Sequence, residues 1–411
     1  MVMLAVEEAL RRILATVQPL HIENVSLHEA LGRVLGVDVE ATYDLPPFDN
    51  SSMDGFAVIA ADVAGSGLTN PVILQVIEDI PAGKAPQMTV GHGQAARIMT
   101  GAPMPAGADA VVPVEQTDQH RLSPEMPASI KVVQGVQKGD YVRPVGEDIK
   151  RGETVLERGQ VLRPADLGVL AGLGVSQVEV VARPKVAVIS NGDELVLPHE
   201  PLTPGKIRDM NSYFLPALIQ EAGGEALLLG IARDTAESVR EKLTLAVKQG
   251  ANLILSSAGV SVGAFDVVKS VLDEMGSVEF WKVNLRPGKP LTFGQIQGIC
   301  FLGLPGNPVS AMVTFDVFAR PIIRKMLGLS VEMPTRMATM GEAMTSDGRM
   351  TFARVRLTRE NGDLMAYSTG NQSSGAISSM VKADGLLIIP EGVREVKIGD
   401  RFAVRPFRFE D

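Results

Sequence analysis

Short apolar strands alternate with helices between residues 185 and 327, and this alternation restricts the fold more than any other feature of the sequence. Residues 185–190 (KVAVIS) are typical of a short buried strand. Strands separated by helices of this length favour a doubly wound, mostly parallel α/β sheet with its ligand cleft at the carboxyl ends of the strands. The pattern predicts further strands at 226–231, 252–256 and 301–302, and helices at 211–222, 235–249, 266–275 and 309–327.

The regions on either side of this segment have a different sequence pattern. An amphipathic helix is predicted over 3–18, and helix-compatible sequence returns around 165–173. Between 39 and 148, glycines and prolines break the chain into short apolar pieces, and the whole chain holds 41 glycines and 26 prolines. These frequent glycines and prolines predict short strands joined by turns. From about residue 331 onward the chain is strand-rich again, which suggests a small barrel or sandwich.

Charge and cysteine content exclude several classes of function. The net charge is −9, from 39 Lys and Arg against 48 Asp and Glu, so a general nucleic-acid binder with a basic face is not expected. The single Cys300 excludes an internal disulfide and a thiolate zinc cluster. No apolar run approaches the ~18 residues of a membrane span, and the charged N-terminus does not resemble a signal peptide. We therefore expect a cytoplasmic protein that binds neither nucleic acid nor membrane.

Two loops that follow predicted strands carry acidic and small residues. Residues 190–194 (SNGDE) either project Asp193 and Glu194 into the cleft or form an ordinary solvated loop. Residues 256–263 (SSAGVSVG) would let backbone N–H groups approach an anion, although they match neither the P-loop nor the dinucleotide fingerprint. Asp266 would then either cap the next helix or hold a divalent metal against a phosphate.

Two further loops favour an anionic ligand. Residues 282–289 (KVNLRPGK) place three cations around a Pro-Gly turn, which predicts either capture of a small oxyanion or a solvated basic turn. Residues 303–310 (GLPGNPVS) join a buried strand to a helix through a backbone fixed by two prolines. That rigidity exceeds what a surface connection needs and favours a functional role.

Turns predicted further upstream contain Asp54, Thr100 and Asp148. By themselves these segments indicate only turns, in which such polar and small residues are common. The five histidines show no ligand spacing, and no nucleophile–base arrangement stands out.

Taken together and in order, the motifs resemble one family, the molybdopterin molybdenumtransferases, which includes a domain of the receptor-clustering protein gephyrin. The matching segments run from about residue 28 to 375 and read FDNSSMDGFAV, RIMTGAPMPAGADAVVPVE, VGEDI, SNGDEL, SSAGVSVGAFD, FWKVNLRPGKP, GLPGNPVSA and TGNQSSG.

The resemblance implies a multidomain α/β homodimer with an active cleft between the α/β domain of one subunit and the β-rich insertion of the other. Its implied parts are N-terminal helices (1–43), a β-rich insertion (44–148), a return of the segmented dimerisation region (149–181), an α/β molybdopterin-binding domain (182–329) and a C-terminal β-barrel (330–411).

The implied reaction inserts molybdenum from molybdate into adenylylated molybdopterin with Mg²⁺, and releases AMP and molybdenum cofactor. A molybdopterin adenylyltransferase and acceptor molybdoenzymes are the implied partners. The resemblance implies catalytic roles for Asp54, Thr100, Asp148, Glu194, Asp234 and Asp266, with Glu194 and Asp266 as metal ligands. The implied pterin, phosphate and molybdate contacts are Ser257, Gly259, Ser261, Gly263, Lys282, Arg286, Lys289, Pro305, Gly306, Asn307, Pro308, Ser310, Arg354 and Ser374.

Two other functions stay open at this stage. One is molybdopterin adenylylation from ATP, which uses a similar α/β domain, and the other is a non-catalytic dimeric scaffold. The sequence departs from the usual family pattern at Ala258, Arg286 and Asn191, where a glycine, a lysine and a threonine are common. None of these departures removes a cation or a carboxylate from the implied site.

Overall fold

The computed structural model describes residues 3–121, 124–257 and 265–407, with only the backbone described at 265–269 and 280. The chain divides into two compact units. The first comprises Met1–Glu23, Gly32–Val34 and Glu179–Asp411, and the second comprises Asn24–Leu31 and Leu35–Val178.

Up to residue 181 the chain forms mainly short strands. Single 3₁₀ turns lie at Leu27–Glu29, Ala60–Val63 and Val114–Gln116. The helices and strands are α1 (Val6–Ala15), β1 (Ile22–Ser26), β2 (Val39–Glu40), β3 (Asn50–Ser51), β4 (Gly55–Val58), β5 (Val72–Ile80), β6 (Gln94–Ile98), β7 (Ala110–Pro113), β8 (Ser129–Val132), β9 (Val142–Arg143), β10 (Thr154–Leu156), α2 (Pro164–Gly172) and β11 (Gln177–Val181).

The second half contains the α/β domain and the C-terminal strands. Its elements are β12 (Lys185–Asn191), β13 (Leu195–Val196), β14 (Ile207–Arg208), α3 (Asn211–Glu221), β15 (Glu225–Ala232), α4 (Ala236–Lys248), β16 (Leu253–Ser257), α5 (Phe265–Met275), β17 (Gly276–Lys282), β18 (Leu285–Arg286), β19 (Pro290–Ile296), β20 (Ile299–Leu304), α6 (Pro308–Thr314), α7 (Arg320–Met326), β21 (Arg336–Met340), β22 (Met344–Thr345), β23 (Met350–Glu360), β24 (Asp363–Ser368), α8 (Ser378–Val381), β25 (Gly385–Ile389), β26 (Glu395–Val396) and β27 (Arg401–Pro406).

The second unit is built around a five-stranded sheet in the order β7-β4-β6-β5-β8, in which only β5 and β6 run parallel. Phe56 of the interior strand β4 is fully buried in its core. A Cβ on Gly55 would lie 2.1 Å from the Val112 carbonyl oxygen of β7. The close approach of these two strands therefore requires glycine at this position of the MDGFA motif.

The α/β domain contains a six-stranded sheet in the order β15-β12-β16-β20-β19-β17. The first four strands are parallel, which confirms the predicted doubly wound, mostly parallel sheet. The last two, β19 and β17, are antiparallel additions that the sequence pattern did not predict. Gly276 and Gly294, which suggest turns in the sequence, instead permit close strand pairing, since a Cβ on either would lie within 2.1 Å of a carbonyl oxygen across the pair.

Two predicted helices differ from those observed. Helix α1 spans Val6–Ala15 and not 3–18, and Pro19 lies just beyond its end. The predicted helix 309–327 is a continuous run of α6, a π-helical turn at Phe315–Ala319, and α7. Pro321 has no N–H to donate to the preceding turn, which accounts for the irregular hydrogen bonding there. Within the described part of the chain, no helix has the length and apolar content to cross a membrane.

The C-terminal strands close into a five-stranded barrel. Strands β23, β24, β21, β27 and β25 pair in that order, and β25 pairs back with β23. Strand β18, which carries the basic turn, adds to this barrel through parallel pairing of Leu285 with Met350 and of Arg286 with Thr351. The expected barrel-or-sandwich is thus a barrel, and β18 connects it directly to the α/β domain.

A buried ionic network reinforces this connection. The Asp316 carboxylate, on the π-helical turn, accepts hydrogen bonds from Arg320 at 2.8 Å and from Arg405 of β27 at 2.5 Å. The Arg405 guanidinium also lies 5.7 Å from the centre of the Phe352 ring on β23. One carboxylate therefore joins two largely buried guanidinium groups that belong to different domains, and Arg320 has a second partner in the exposed Glu221 at 3.1 Å.

Replacing Asp316 with alanine is expected to lower the free energy of unfolding by about 3–5 kcal/mol, because it leaves the largely buried Arg405 without a counter-ion and leaves Arg320 with only the exposed Glu221. Urea denaturation of the purified protein measures the change. The matched control is Glu274→Ala, which removes an exposed partner of Arg240 and should have a much smaller effect. Equal losses for the two variants would contradict a structural role for the buried network.

Candidate active site

A cavity of about 440 Å³ lies beside the basic turn, where the α/β domain adjoins the barrel. Three segments distant in sequence form its wall: the basic turn, the loop between β20 and α6, and two parts of the barrel domain. The lining residues are Arg286, Pro287, Gly288, Lys289, Pro290, Pro305, Gly306, Asn307, Ser310, Arg349, Gln372, Ser373 and Ser374.

The basic turn presents two cations, Arg286 and Lys289, that form no ion pair with another described residue. The Val283 N–H donates to the Lys289 carbonyl oxygen at 2.9 Å and closes the turn, while β18 fixes Arg286 against the barrel. Among the described residues, no acceptor lies within hydrogen-bonding distance of the Arg286 or Lys289 side chain. Their charges are therefore available to an anion in the cavity.

Gly288 brings the backbone of this turn against helix α6. Its φ is +116°, and a Cβ there would lie 2.5 Å from the Thr314 hydroxyl oxygen. Any side chain at this position would meet both an unfavourable backbone conformation and a buried neighbour. Glycine thus sets the distance between the turn and α6, and with it the width of the cavity.

The loop between β20 and α6 is held from two sides. The Asn211 amide donates to the Gly306 carbonyl oxygen at 2.9 Å, and the Asn307 amide donates to the Ser374 hydroxyl at 3.1 Å. The Val309 N–H also donates to the Ser374 carbonyl oxygen at 3.1 Å. Ser310 lies buried in the first turn of α6 and lines the cavity. These bonds join the loop to the barrel segment 372–374.

Arg354 supports the cavity wall from behind and does not line it. Its side chain is 1% exposed and donates to the Ser379 hydroxyl at 3.1 Å and to the Ser373 carbonyl oxygen at 3.2 Å. Burial, together with the nearby charge of Arg286, lowers the pKa of Arg354 from 12.5 to about 10. Arg354 therefore stays charged at neutral pH and contributes to the positive potential behind residues 373–374.

Among the polar lining residues, Arg349, Gln372 and Ser373 are not among the contacts predicted from the sequence, although Gln372 and Ser373 lie in the TGNQSSG segment. Gln372 bonds both backbone groups of Arg354, accepting from its N–H and donating to its carbonyl oxygen at 3.0 Å each. The sequence offers no periodic or motif signal for Arg349. Its position depends on the pairing of β18 with β23, which a pattern within either segment does not reveal.

The carboxyl ends of β12 and β15 carry the predicted acidic residues. The backbone N–H groups of Asp193 and Asp234 each donate to the carboxylate of the other residue, at 3.4 Å. The Glu194 carboxylate folds over Gly192, where an added Cβ would lie 2.4 Å from it. The described residues include no group of three His, Cys, Asp or Glu side chains arranged to hold a metal ion.

Buried hydroxyl and amide groups lie beside this edge of the sheet. The Ser257 hydroxyl donates to that of Ser190 at 3.4 Å, and the Asn191 amide donates to the Ser256 hydroxyl at 3.0 Å. Of the remaining predicted residues, Lys282 is exposed at the end of β17 and outside the cavity lining. Gly259, Ser261 and Gly263 lie outside the described residues, and Asp266 is described only as backbone within α5.

The second unit brings Asp54 and Thr100 together. One Asp54 carboxylate oxygen accepts from the Thr100 N–H at 2.7 Å and from its hydroxyl at 2.8 Å. Asp148 follows strand β9, which pairs with β3, and its N–H donates to the Leu45 carbonyl oxygen at 3.0 Å. The motifs that carry these three residues are therefore neighbours within one unit. Their participation in a cleft with the α/β domain of another subunit stays a prediction.

Comparison with known proteins identifies the family. The model for the MoeA N-terminal region (domain I and II) matches residues 4–174, that for the probable molybdopterin binding domain matches 187–325, and that for the MoeA C-terminal region (domain IV) matches 337–407. Molybdopterin molybdenumtransferase 2 of Mycobacterium tuberculosis is 42% identical over 92% of this chain and 94% of its own length. The chain belongs to the MoeA family.

Further members of the MoeA family agree over nearly the whole chain. The molybdopterin molybdenumtransferase of Haemophilus influenzae is 36% identical over 98% of this chain and 99% of its own. A crystal structure of a Pyrococcus horikoshii molybdopterin biosynthesis MoeA protein superposes with a TM-score of 0.82, at 33% identity and with full coverage of both chains. These matches confirm the family resemblance and the multidomain α/β fold class.

Replacing Gly288 with alanine is expected to weaken anion binding and to lower the free energy of unfolding by at least about 1 kcal/mol, because alanine tolerates neither the positive φ nor the contact with Thr314. Isothermal titration with molybdate and urea denaturation measure the two effects. The matched control is Gly298→Ala, where φ is +83° and nothing lies within 4 Å of an added Cβ. This control should lose stability yet keep wild-type molybdate affinity. Unchanged affinity in the Gly288 variant would contradict the spacing role.

Proposed function

We propose that the protein inserts molybdenum from molybdate into adenylylated molybdopterin, with release of AMP and formation of molybdenum cofactor. The observation that carries this proposal is the pair of unpaired cations, Arg286 and Lys289, in one cavity wall. Molybdate is a compact oxyanion with two negative charges at neutral pH. Two cations that form no ion pair with another described residue, on a rigid turn, match that charge and offer charge-assisted hydrogen bonds.

The remaining polar lining groups complete the proposed oxyanion site. The hydroxyls of Ser310 and Ser374 and the amide of Asn307 supply neutral donors around the two cations. A cavity of about 440 Å³ is larger than one oxyanion needs and falls within the range of small-molecule sites. We therefore infer that it accepts molybdate together with the metal-binding end of the pterin substrate.

The phosphoanhydride of adenylylated molybdopterin is proposed to bind at the carboxyl ends of the parallel strands in the α/β domain. Ser257 and the loop containing Gly259, Ser261 and Gly263 would contact its phosphates through hydroxyl and backbone N–H groups. Breaking such a bond depends mainly on positioning and charge neutralisation, so little covalent chemistry is required of the protein. Asp234 is proposed to orient the attacking water, with Asp54, Thr100 and Asp148 as further positioning groups contributed by the second subunit of a homodimer.

Mg²⁺ is the proposed cofactor, with Glu194 and Asp266 as its ligands. Protein sites for Mg²⁺ beside phosphates commonly supply one or two carboxylates and leave the other positions to water and substrate. The Glu194 carboxylate follows the end of β12 and fits this pattern, because a Mg²⁺ site of this kind does not require a cluster of three carboxylates. When bound, the ion supplies positive charge to the phosphoanhydride oxygens.

The proposed reaction predicts AMP release that depends on molybdate. Purified protein with adenylylated molybdopterin and Mg²⁺ should release AMP and form cofactor on addition of molybdate, and chromatography quantifies both products. AMP release that is indifferent to molybdate would contradict the proposal. Turnover of ATP with unmodified molybdopterin would instead support the adenylyltransferase alternative, and absence of both reactions would favour a scaffold.

Replacing Lys289 with alanine should lower kcat/KM for molybdate about ten- to a hundredfold, the usual worth of a hydrogen bond to a charged group. Steady-state AMP release at varied molybdate concentration measures the loss. Lys397→Ala, at an exposed lysine of the barrel domain outside the cavity lining, is the matched control and should retain wild-type values. A normal kcat/KM in the Lys289 variant would remove this residue from the oxyanion site.

Replacing Glu194 with glutamine is expected to raise the Mg²⁺ concentration needed for half-maximal AMP release, because a neutral amide is a weaker ligand for this hard cation. The KM for molybdate should change little, since the substitution leaves the cations of the oxyanion cavity in place. Titration of Mg²⁺ at saturating molybdate makes the measurement, with Glu395→Gln on the exposed barrel surface as control. An unchanged Mg²⁺ requirement would exclude Glu194 as a ligand.

A further inference from the structure

A second cavity, of about 380 Å³, lies within the second unit and contains none of the residues assigned to the proposed reaction. Its volume falls within the range of small-molecule sites. The lining residues lie outside the family motifs found in the sequence, and they are Thr42, Tyr43, Asp44, Pro47 and Arg151.

Hydrogen bonds and packing fix the two segments that form this cavity. The Leu45 N–H donates to the Ile149 carbonyl oxygen at 2.8 Å, and the Thr42 hydroxyl donates to the Leu173 carbonyl oxygen at 3.4 Å. Leu45 also packs against Ile149 and Leu173 in a small apolar core. The cavity wall is therefore ordered by the fold, which lowers the entropy cost of binding a ligand there.

Tyr43 gives the cavity an aromatic surface. Its side chain is 64% exposed, and a Cβ on Gly174 would lie 4.0 Å from its Cε2 atom, so one edge of the ring rests against that turn. The Pro47 ring lines the same cavity. An exposed aromatic ring beside a proline offers a surface on which a flat heteroaromatic ring can stack.

Asp44 and Arg151 supply the charged groups of the cavity. The Arg151 N–H donates to Oδ1 of Asp44 at 3.0 Å, and Oδ2 of Asp44 has no hydrogen-bond partner among the described residues. The Arg151 guanidinium forms no ion pair with a described residue either. A carboxylate only accepts hydrogen bonds and a guanidinium only donates them. The cavity therefore offers both an acceptor and a donor to the edge of a stacked ring.

We propose that the second cavity binds a flat ring with a 2-amino-4-oxopyrimidine edge, which pterins and guanine share. The ring stacks on Tyr43, its two adjacent N–H groups donate to the Asp44 carboxylate, and its 4-oxo oxygen accepts from the Arg151 guanidinium. Adenine has one amino donor beside a ring-nitrogen acceptor, so it cannot give two hydrogen bonds to a carboxylate. The edge occurs both in the pterin of the proposed substrate and in free guanine nucleosides.

The test is direct binding of unsubstituted pterin to the full-length protein, measured by fluorescence titration, with guanosine and adenosine as competitors. Tyr43→Ala should weaken pterin binding about five- to a hundredfold, because stacking on the aromatic ring is lost. Tyr43→Phe keeps the ring and should keep the affinity. Tyr213→Ala removes another exposed tyrosine, on α3 and outside the cavity lining, and is the matched control with normal binding expected.

A second variant tests the polar contact. Asp44→Asn can still accept from the Arg151 N–H, but it replaces one acceptor oxygen with a donor group. It should weaken pterin binding about tenfold, the usual worth of a hydrogen bond to a charged group. It should also bring adenosine closer to pterin in affinity, because an amide offers a donor beside an acceptor.

The outcomes separate this inference from the proposed reaction. It would be overturned by absence of both pterin and guanosine binding, by adenosine binding as tight as that of pterin, or by normal pterin affinity in Tyr43→Ala, including the case in which only the oligomeric state changes. Tighter binding of pterin than of guanosine supports the site and identifies the substrate ring as its source, and the reverse order supports it with a guanine nucleoside as the source. If Tyr43→Ala does not fold, Asp44→Asn carries the same test. Failure of molybdate-dependent AMP release leaves all these results unchanged.

Discussion

The site depends on a two-residue strand pairing between the α/β domain and the barrel. Leu285 and Arg286 pair with Met350 and Thr351, and this contact places the basic turn against the barrel wall. The turn presents Arg286 and Lys289 to the cavity, and the start of β23 brings Arg349 to the same wall. The buried Asp316–Arg405 pair holds the same two domains together from the helical side.

The sequence predicts elements whose signal lies within a single segment. The parallel strands and the helices between them have continuous apolar runs or helical periodicity, so the predicted bounds of β12, β15 and β16 lie close to those observed, whereas β20 is predicted only over 301–302. Strands β17 and β19 were missed because Gly276, Pro290 and Gly294 are typical of turns, whereas these glycines permit close contact between strands. Local propensity is a poor guide where tertiary packing selects the small residue.

The residues of the candidate site also divide into those that a single segment of sequence identifies and those that depend on tertiary packing. Arg286, Lys289 and Ser310 lie in recognisable motifs, and the structure places all three in one cavity. Arg349 has no motif of its own, since its position follows from strand pairing between segments about sixty residues apart. The burial of Arg354 could not be predicted either. The sequence of a strand does not show whether a distant loop will cover one of its charged side chains.

The segment 369–374 is bonded along much of its length before any ligand arrives. The Arg354 carbonyl oxygen accepts from Thr369 and Gln372, its guanidinium reaches Ser373, and Ser374 is tied to Asn307. The conformational entropy of this loop is therefore lost during folding and not during association. A loop ordered in advance should let an oxyanion associate without a slow rearrangement step, so that affinity differences between anions would reside mainly in their dissociation rates.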